Sequence, residues 1–175
     1  EKVPEEYRLN TKGIEVGHIF YFGDKYSKPM NASVDYQGKK EFVKMGSYGV
    51  GVSRLVGAII EARYDDKSET MKWPLSVSPY DCAILPLINK NDFSNLEKAN
   101  NISEYLKKNN IDFIIDDTDE NFSSKIKKFN LIGIPFQIII GKKNEGNNFE
   151  FKEIFKESKQ LSVEDIVKNI NKNKR

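Results

Sequence analysis

The chain of 175 residues has little of several features that define whole classes of protein. Its one cysteine, Cys82, excludes an internal disulfide and favours a reducing compartment. One cysteine and one histidine, His18, cannot assemble a zinc site. No apolar run approaches the length of a membrane-spanning helix. These absences predict a cytoplasmic protein without a membrane partner.

The chain also has almost no excess of charge of either sign. It carries 28 Lys and Arg against 26 Asp and Glu, for a net charge of +2, so any RNA contact needs a local patch. A content of 38% hydrophobic and 31% charged residues is typical of a globular protein with one core or two small ones. Residues 1–12 are polar and begin with Glu rather than Met, so we expect a piece of a longer chain.

A glycine-rich stretch, Gly46-Ser47-Tyr48-Gly49-Val50-Gly51-Val52-Ser53-Arg54, precedes a predicted helix. We expect this helix to run from an N-cap at Ser53 to about Tyr64. Arg54 then lies in the first turn, where the helix dipole disfavours a cation, and an anionic ligand would offset that cost. The helix prediction rests on apolar residues with helical spacing, namely Val52, Leu55, Val56, Ile59 and Ile60.

Two other interpretations of this stretch are available. The glycines are also typical of a β-bulge and tight turn with Arg54 as a surface residue, and local chemistry alone slightly favours this interpretation. A dinucleotide-binding turn is rejected, because Arg54 stands where the third glycine is required and no acidic residue closes a following strand.

The residues before the glycine stretch predict antiparallel strands over 14–51. Residues 14–22 alternate with period two and place His18 on the more apolar face, where a lone histidine is more often a core residue than a catalyst. Glu15 lies within this apolar strand, which indicates a paired or ligand-facing carboxylate. Residues 32–36 and 41–45 predict a hairpin.

The pattern changes after residue 64. Residues 65–79 are polar and contain Trp73-Pro74 and Ser78-Pro79, which predicts a linker. Beyond them strands and helices alternate, which predicts a mixed sheet flanked by helices. The predicted domains are therefore 1–64, a linker 65–79, and 80–175, with an α+β part followed by an α/β part. The predicted strands are 81–88, 111–115, 135–141 and 149–155, with a Gly/Asn loop before the last of them. The predicted helices are one that opens at Asp92, one over 123–129 and a final one over 163–171, which begins with Ser162 in a capping box.

Together these residues resemble bacterial-type prolyl-tRNA synthetases, a class II aminoacyl-tRNA synthetase family, along nearly the whole chain. The resemblance is specific because the run Gly13-Ile14-Glu15-Val16-Gly17-His18-Ile19-Phe20 points to proline, whereas the class II motif 3 form at 45–54 indicates only the class. The other matching segments are Gly23 with Lys25-Tyr26-Ser27, Trp73-Pro74, Ser78-Pro79-Tyr80, Asp116-Asp117-Thr118-Asp119-Glu120, Lys125 and Leu131-Ile132-Gly133-Ile134-Pro135.

The resemblance implies the antiparallel-sheet part of a class II catalytic domain, followed by an anticodon-binding domain. It implies a ligase that joins proline to tRNA(Pro) with ATP, assisted by Mg2+. Arg54 would be the catalytic motif 3 arginine that reaches ATP, and Gly49 and Gly51 would leave room for the adenosine. Proline would be bound by a wall that is implied to contain His18, Glu15, Ser47 and Tyr48.

The second domain is implied to read the anticodon through Asp117, Glu120 and Lys125. A carboxylate accepts hydrogen bonds from guanine N1 and N2, and a lysine donates to O6 or to phosphate. The other interpretation is that 116–120 is a solvated acidic loop. Thr118 and residues 121–124 depart from the family pattern, which leaves the individual base contacts open.

Motif 1, which builds the class II dimer, and motif 2, whose arginine holds the α-phosphate, do not occur in this chain. We therefore expect a homodimer only for the full-length enzyme, and we expect this chain alone not to activate proline. Two alternatives stand beside the ligase: a non-catalytic synthetase-like protein that binds tRNA, and a class II synthetase of histidyl, threonyl or glycyl specificity.

Overall fold

The computed structural model describes residues 3–88, 92–141, 144 and 147–174. They divide into two compact units, and the division falls between Ile59 and Ile60. Each unit contains its own sheets.

The first unit contains two separate pairs of antiparallel strands, which confirms the strand direction predicted for 14–51. In the hairpin of the second pair, Gln37 and Gly38 have φ of 52° and 75°, as a two-residue turn of the primed type requires. The second strand of the hairpin ends at Phe42 and does not continue into the glycine stretch as predicted. The elements are a 3-10 helix Glu5–Tyr7, β1 (Gly17–Gly23) paired with β4 (Met45–Val50), and β2 (Ser33–Tyr36) paired with β3 (Lys39–Phe42). Helix α1 (Val52–Arg63) begins in this unit, and the division after Ile59 falls within it.

Helix α1 begins before the predicted N-cap, so the assignment of Ser53 as the capping residue is wrong. The reason lies in Gly51, whose N–H donates to the Val16 carbonyl at 2.9 Å while its carbonyl accepts from the Leu55 N–H at 3.0 Å. Gly51 thus belongs to the strand pairing through one backbone group and to the helix through the other. The chain passes from strand to helix across this single residue.

The second unit contains a five-stranded mixed sheet flanked by helices, as predicted. Its order is β11-β10-β9-β7-β8; β7 is parallel to β8 and β9, and β10 is antiparallel to β9 and β11. The sequence prediction missed β11, a three-residue strand with mostly exposed side chains. The elements are β5 (Tyr64–Asp65), β6 (Thr70–Met71), β7 (Cys82–Pro86), α2 (Ser94–Lys108), β8 (Phe113–Ile115), α3 (Phe122–Ile132), β9 (Phe136–Ile140), β10 (Phe149–Glu153), β11 (Lys159–Leu161) and α4 (Val163–Asn173).

Interior strand β7 is buried on both faces, which explains its almost continuous apolar sequence. Cys82 and Ile84 pack in one apolar cluster with residues of α2 and α4. Ala83 and Leu85 pack on the other side with Phe129 of α3. The sheet therefore carries a separate core on each face.

Part of the predicted linker is packed against helix α3. Met71 is only 2% exposed, and Gly133, which ends α3 with φ of 84°, lies against it. The Trp73 N–H donates to the Gly133 carbonyl, and the Trp73 indole N–H donates to the Ile132 carbonyl, each at 2.9 Å. The domain limits 1–64, 65–79 and 80–175 stay a prediction, but the predicted linker contains most of the β5–β6 hairpin, which begins at Tyr64.

Two helix starts in the second unit carry side-chain caps. Ser162 accepts from the Asp165 N–H, which confirms the predicted N-cap, but the Asp165 carboxylate accepts from the Ser162 hydroxyl rather than from its backbone N–H as a capping box would have it. Asn121 accepts from the Ser124 N–H at the start of α3. Asp92 accepts from the Ser94 N–H but lies one residue before the N-cap position, contrary to the prediction. The predicted Gly/Asn loop lies largely outside the described residues. None of the described helices is long and apolar enough to cross a membrane.

Candidate functional site

The register of β1 and β4 decides which predicted site residues share a face. His18 pairs with Gly49, Phe20 with Ser47, and Ile19 with Tyr48. Because paired residues of antiparallel strands point to the same face and neighbours along a strand alternate, His18, Ser47 and Gly49 share one face. Tyr48 lies on the other face, so the structure does not bring its ring to the wall that holds His18.

The His18 ring belongs to an aromatic row along β1. It stacks on Phe20 with 4.0 Å between ring centroids and an 8° interplanar angle, and Phe20 stacks on Phe22 at 5.9 Å. This row confirms the predicted shared face. The His18 side chain is 53% exposed, so within its unit it is not a core histidine and is accessible to a ligand.

Glu15 lies between His18 and Arg54. The Glu15 carbonyl accepts a hydrogen bond from Arg54 Nη1 at 2.9 Å. The Glu15 carboxylate oxygen Oε1 is 3.9 Å from Arg54 Nη1 and 3.8 Å from His18 Nδ1. Both contacts are long and exposed and contribute little to stability, so the Glu15 carboxylate and the Arg54 guanidinium remain available to a ligand. The structure thus brings three of the predicted site residues together.

These residues line an open groove of about 340 Å³. A Cβ at Gly49 would meet nothing within 4 Å, in agreement with the predicted open space there, whereas a Cβ at Gly51 would lie 3.3 Å from the Arg54 Cβ. Gly17 was not selected from the sequence, although a Cβ there would lie 2.9 Å from the Gly49 carbonyl oxygen. Its absent side chain permits the close approach of the two strands. The lining residues are Glu15, Val16, Gly17, His18, Gly49, Val50, Gly51, Ser53 and Arg54.

The second candidate site is the acidic loop that we define as Asp116 to Glu120, which follows β8 and precedes α3. The Asp116 side chain is 2% exposed, and its Oδ1 accepts from the Thr118 N–H at 3.1 Å. Asp117 and Glu120 are exposed. The acidic loop is therefore anchored at its first residue, while its other three carboxylates, those of Asp117, Asp119 and Glu120, face solvent.

Lys125 anchors the acidic loop from inside the protein. Its ammonium donates to the Asp116 carbonyl at 2.8 Å and to the Pro86 carbonyl at 3.0 Å, and it lies 3.5 Å from Asp116 Oδ1. The side chain is 1% exposed. Because these three acceptors match the three donors of a lysine, the Lys125 cation is not presented to a base or a phosphate in this conformation. The predicted RNA contact at Lys125 is not what this geometry favours; the residue supports the loop instead.

The sequence interpretation missed Lys128, the cation that lies at the surface of this site. Its Nζ is 2.8 Å from Asp116 Oδ2 and 3.0 Å from Glu120 Oε2. The sequence feature that could have identified Lys128 is its spacing: residues three apart share a helix face, and Lys125 lies three residues earlier. Hydrogen bonds to Asp116 and then to Glu120 raise the pKa of the Lys128 ammonium.

The Asp116 carboxyl group stays ionised although it is buried. Burial by itself raises its pKa, but hydrogen bonds from Lys128 and Thr118, with the charge of Lys125, outweigh burial and hold the pKa below the usual value. The base of the acidic loop is thus a compact group of one buried carboxylate and two lysines.

Other chemistry is not supported by the described side chains. Across residues 3–88, 92–141, 144 and 147–174, no group of three or more His, Cys, Asp or Glu could hold a metal ion. Cys82 is buried, and burial, followed by the nearby Asp81 charge, raises its thiol pKa far above the usual range. A neutral, enclosed thiol is not a nucleophile.

The second unit is of the α/β class: it is a mixed sheet with helices on both faces, and the acidic loop lies at the end of one strand. Residues 81–173 match the family described as the anticodon binding domain, which is more than half of the chain. The chain belongs to this anticodon-binding-domain family.

Curated relatives extend the similarity to both units. The chain is 66% identical over 175 residues to a protein from Pelagibacter ubique named proline–tRNA ligase; the match covers 99% of this chain and 39% of that protein. It is 52% identical over 147 residues to the proline–tRNA ligase of a Wolbachia from Brugia malayi, covering 83% of this chain and 33% of that protein. It is 46% identical over 165 residues to that of Rickettsia canadensis, covering 94% and 36%. The chain therefore spans between about a third and two fifths of the length of these relatives.

Proposed function

We propose that this chain is part of a proline–tRNA ligase, which activates proline with ATP and transfers the prolyl group to tRNA(Pro). The observation that carries the proposal is the 66% identity to a protein of that name along 99% of the chain, because it includes both candidate sites. The meeting of Arg54, Glu15 and His18 at one open groove supports it.

In the proposed reaction, a carboxylate oxygen of proline attacks the α-phosphorus of ATP, and the bond from that phosphorus to pyrophosphate breaks. Arg54 would bind the γ-phosphate, since a guanidinium has five N–H donors and one of them is engaged by the Glu15 carbonyl. Its contribution would be positioning and charge stabilisation. The open space beside Gly49 is where the adenosine would lie. Mg²⁺ would enter with ATP as part of the substrate.

The proline wall in this proposal consists of His18, Glu15 and Ser47. His18 and Ser47 share a face of the β1–β4 pair, and the Glu15 carboxylate would pair with the substrate ammonium group. The ring of Tyr48 lies on the opposite face, so we do not retain it in this wall.

For the RNA, we propose that Asp117 and Glu120 accept hydrogen bonds from the guanines of the proline anticodon, with Lys125 fixing the loop from which they project. We further propose that the complete enzyme is a homodimer in the cytoplasm. A non-catalytic relative that only binds tRNA is less well supported, because Arg54, Glu15 and His18 are held together in the groove.

Two measurements test this function. The complete gene product should catalyse proline-dependent exchange of pyrophosphate into ATP, and Arg54→Ala should reduce kcat by at least about tenfold, since loss of one charge-stabilising donor at a reacting phosphate has effects of that order or larger. The 175-residue chain by itself should show exchange at background. A complete gene product without proline-dependent exchange would refute the ligase assignment, and turnover by the chain alone would refute the expectation that this chain by itself does not activate proline.

A further inference from the structure

Lys128 joins two carboxylates of very different exposure. Asp116 is 2% exposed and Glu120 is 44% exposed, and Lys128 Nζ lies within 3.0 Å of an oxygen of each. Lys128 itself is 35% exposed, so its ammonium lies at the boundary between the interior and the solvent.

Asp116 provides a fixed point for this contact. Its carbonyl and Oδ1 are held by Lys125, and its Oδ1 also accepts from the backbone of Thr118. A lysine attached to such a carboxylate loses much of its freedom, so its other N–H donors are directed in space. One of them reaches Glu120, whose three side-chain torsions would otherwise be free at an exposed loop position.

We propose that Lys128 is a positioning residue for guanine recognition: it holds Glu120 through Oε2 and thereby directs the carboxylate toward the donors of an anticodon guanine. This inference rests on the proposed function. The ion pair engages Oε2, and Oε1 is not part of it. A guanine presents N1–H and the N2 amino group side by side, and a carboxylate held in one orientation can accept from both.

The charge balance of the site supports this role. Asp116, Asp117, Asp119 and Glu120 together would repel the phosphates of an approaching RNA. Lys125 neutralises the buried carboxylate, and Lys128 is shared between Asp116 and Glu120. Lys128 therefore lowers the electrostatic cost of bringing RNA to the acidic loop while leaving Glu120 able to accept hydrogen bonds.

The test compares RNA stem–loops that carry the proline anticodon with stem–loops in which each guanine in turn is replaced by inosine, which lacks the N2 amino group. The ratio of the two dissociation constants for the full chain measures recognition of that amino group. Lys128→Met should reduce the ratio at one guanine about two- to fivefold, the range expected from coupling between partly exposed charges. Lys128→Arg should retain the ratio. Lys127→Met, a matched loss of charge at an exposed neighbour on α3, should weaken both RNAs equally and leave the ratio unchanged.

A double-mutant cycle separates positioning from a general effect on the fold. If Lys128 acts through Glu120, then Lys128→Met has no further effect on the ratio in a Glu120→Gln background. A ratio unchanged by Lys128→Met, but reduced by Glu120→Gln, overturns this inference alone. A ratio unchanged by Glu120→Gln overturns the proposed reading of guanine. Should Lys128→Met fail to fold, Lys128→Gln, which keeps a donor without the charge, takes its place in the same cycle.

Discussion

The buried ion pair between Lys125 and Asp116 leads to a sharp prediction about stability. In the variant Lys125→Met, the side chain keeps its length and apolar stem, but the Pro86 and Asp116 carbonyls lose their donor and the buried Asp116 carboxylate loses one of its two cations. Each orphaned buried acceptor costs about 1–3 kcal/mol, and breaking a buried ion pair costs about 3–5 kcal/mol when nothing replaces the lost partner.

The expected loss lies at the lower end of these values, because Asp116 retains the contact with Lys128 at 2.8 Å and the hydrogen bond from Thr118. We expect about 3 kcal/mol of destabilisation of the second unit. The assay is urea unfolding followed by tryptophan fluorescence. Trp73 is the only tryptophan and lies in this unit, so the signal reports this unit rather than the whole chain.

The control is the double variant Lys125→Met with Asp116→Asn, which removes both charges and should recover part of the loss, because no uncompensated carboxylate remains buried. A single variant whose midpoint and slope match those of the unaltered chain would refute the reasoning. It would mean that the Lys125 ammonium is solvated rather than held by the acidic loop.

Two further predictions follow from the second unit. Gly133→Ala should destabilise this unit by about 1–3 kcal/mol, because φ is 84° and the added Cβ would lie 2.7 Å from the Met71 sulfur. The control is Gly57→Ala, whose added Cβ meets nothing within 4 Å and which should raise the helicity measured by circular dichroism. A Gly57→Ala variant that is destabilised as much as Gly133→Ala would contradict the packing argument. Because the pKa of Asp116 is lowered in the folded state, its ionised carboxylate contributes to the free energy of unfolding. This contribution is fully present above the unfolded pKa of 3.8 and is lost as the pH falls through the folded pKa. Acid unfolding followed by Trp73 fluorescence should show this loss of stability below about pH 3.8, and the loss should be smaller in the variant Asp116→Asn. An acid transition unchanged by that substitution would contradict the lowered pKa of Asp116.

Much of the architecture could be predicted from local patterns. The mixed sheet of the second unit followed from buried apolar strands that alternate with amphipathic helices, and the Ser162 N-cap followed from the capping-box pattern. The pairing of β1 with β4 was consistent with the period-two pattern. Boundaries were less accurate: α1 begins one residue before Ser53, because Gly51 serves the strand and the helix at once. Strand β11 was missed, because three mostly exposed residues carry no periodic signal.

The candidate sites divide in the same way. The motif residues and their chemical types came from the sequence, including Arg54, Glu15 and His18, which the structure places around one groove. The sequence did not decide which of these residues share a face, because register is a property of two strands that are separated by more than twenty residues in the chain. Tyr48 shows this most clearly, since one step along β4 moves its ring to the opposite face from His18.

The sequence by itself determined the composition of this protein, the type of most of its elements and the resemblance that names its candidate residues, because these depend on local periodicity and on short ordered motifs. Only the tertiary structure decided that Lys125 is an interior anchor and that Lys128 holds the exposed carboxylate of Glu120. The physical reason is burial: the same ammonium group is a ligand-binding cation at the surface and a structural cation inside, and burial depends on how the helix packs against strands that are distant in the sequence.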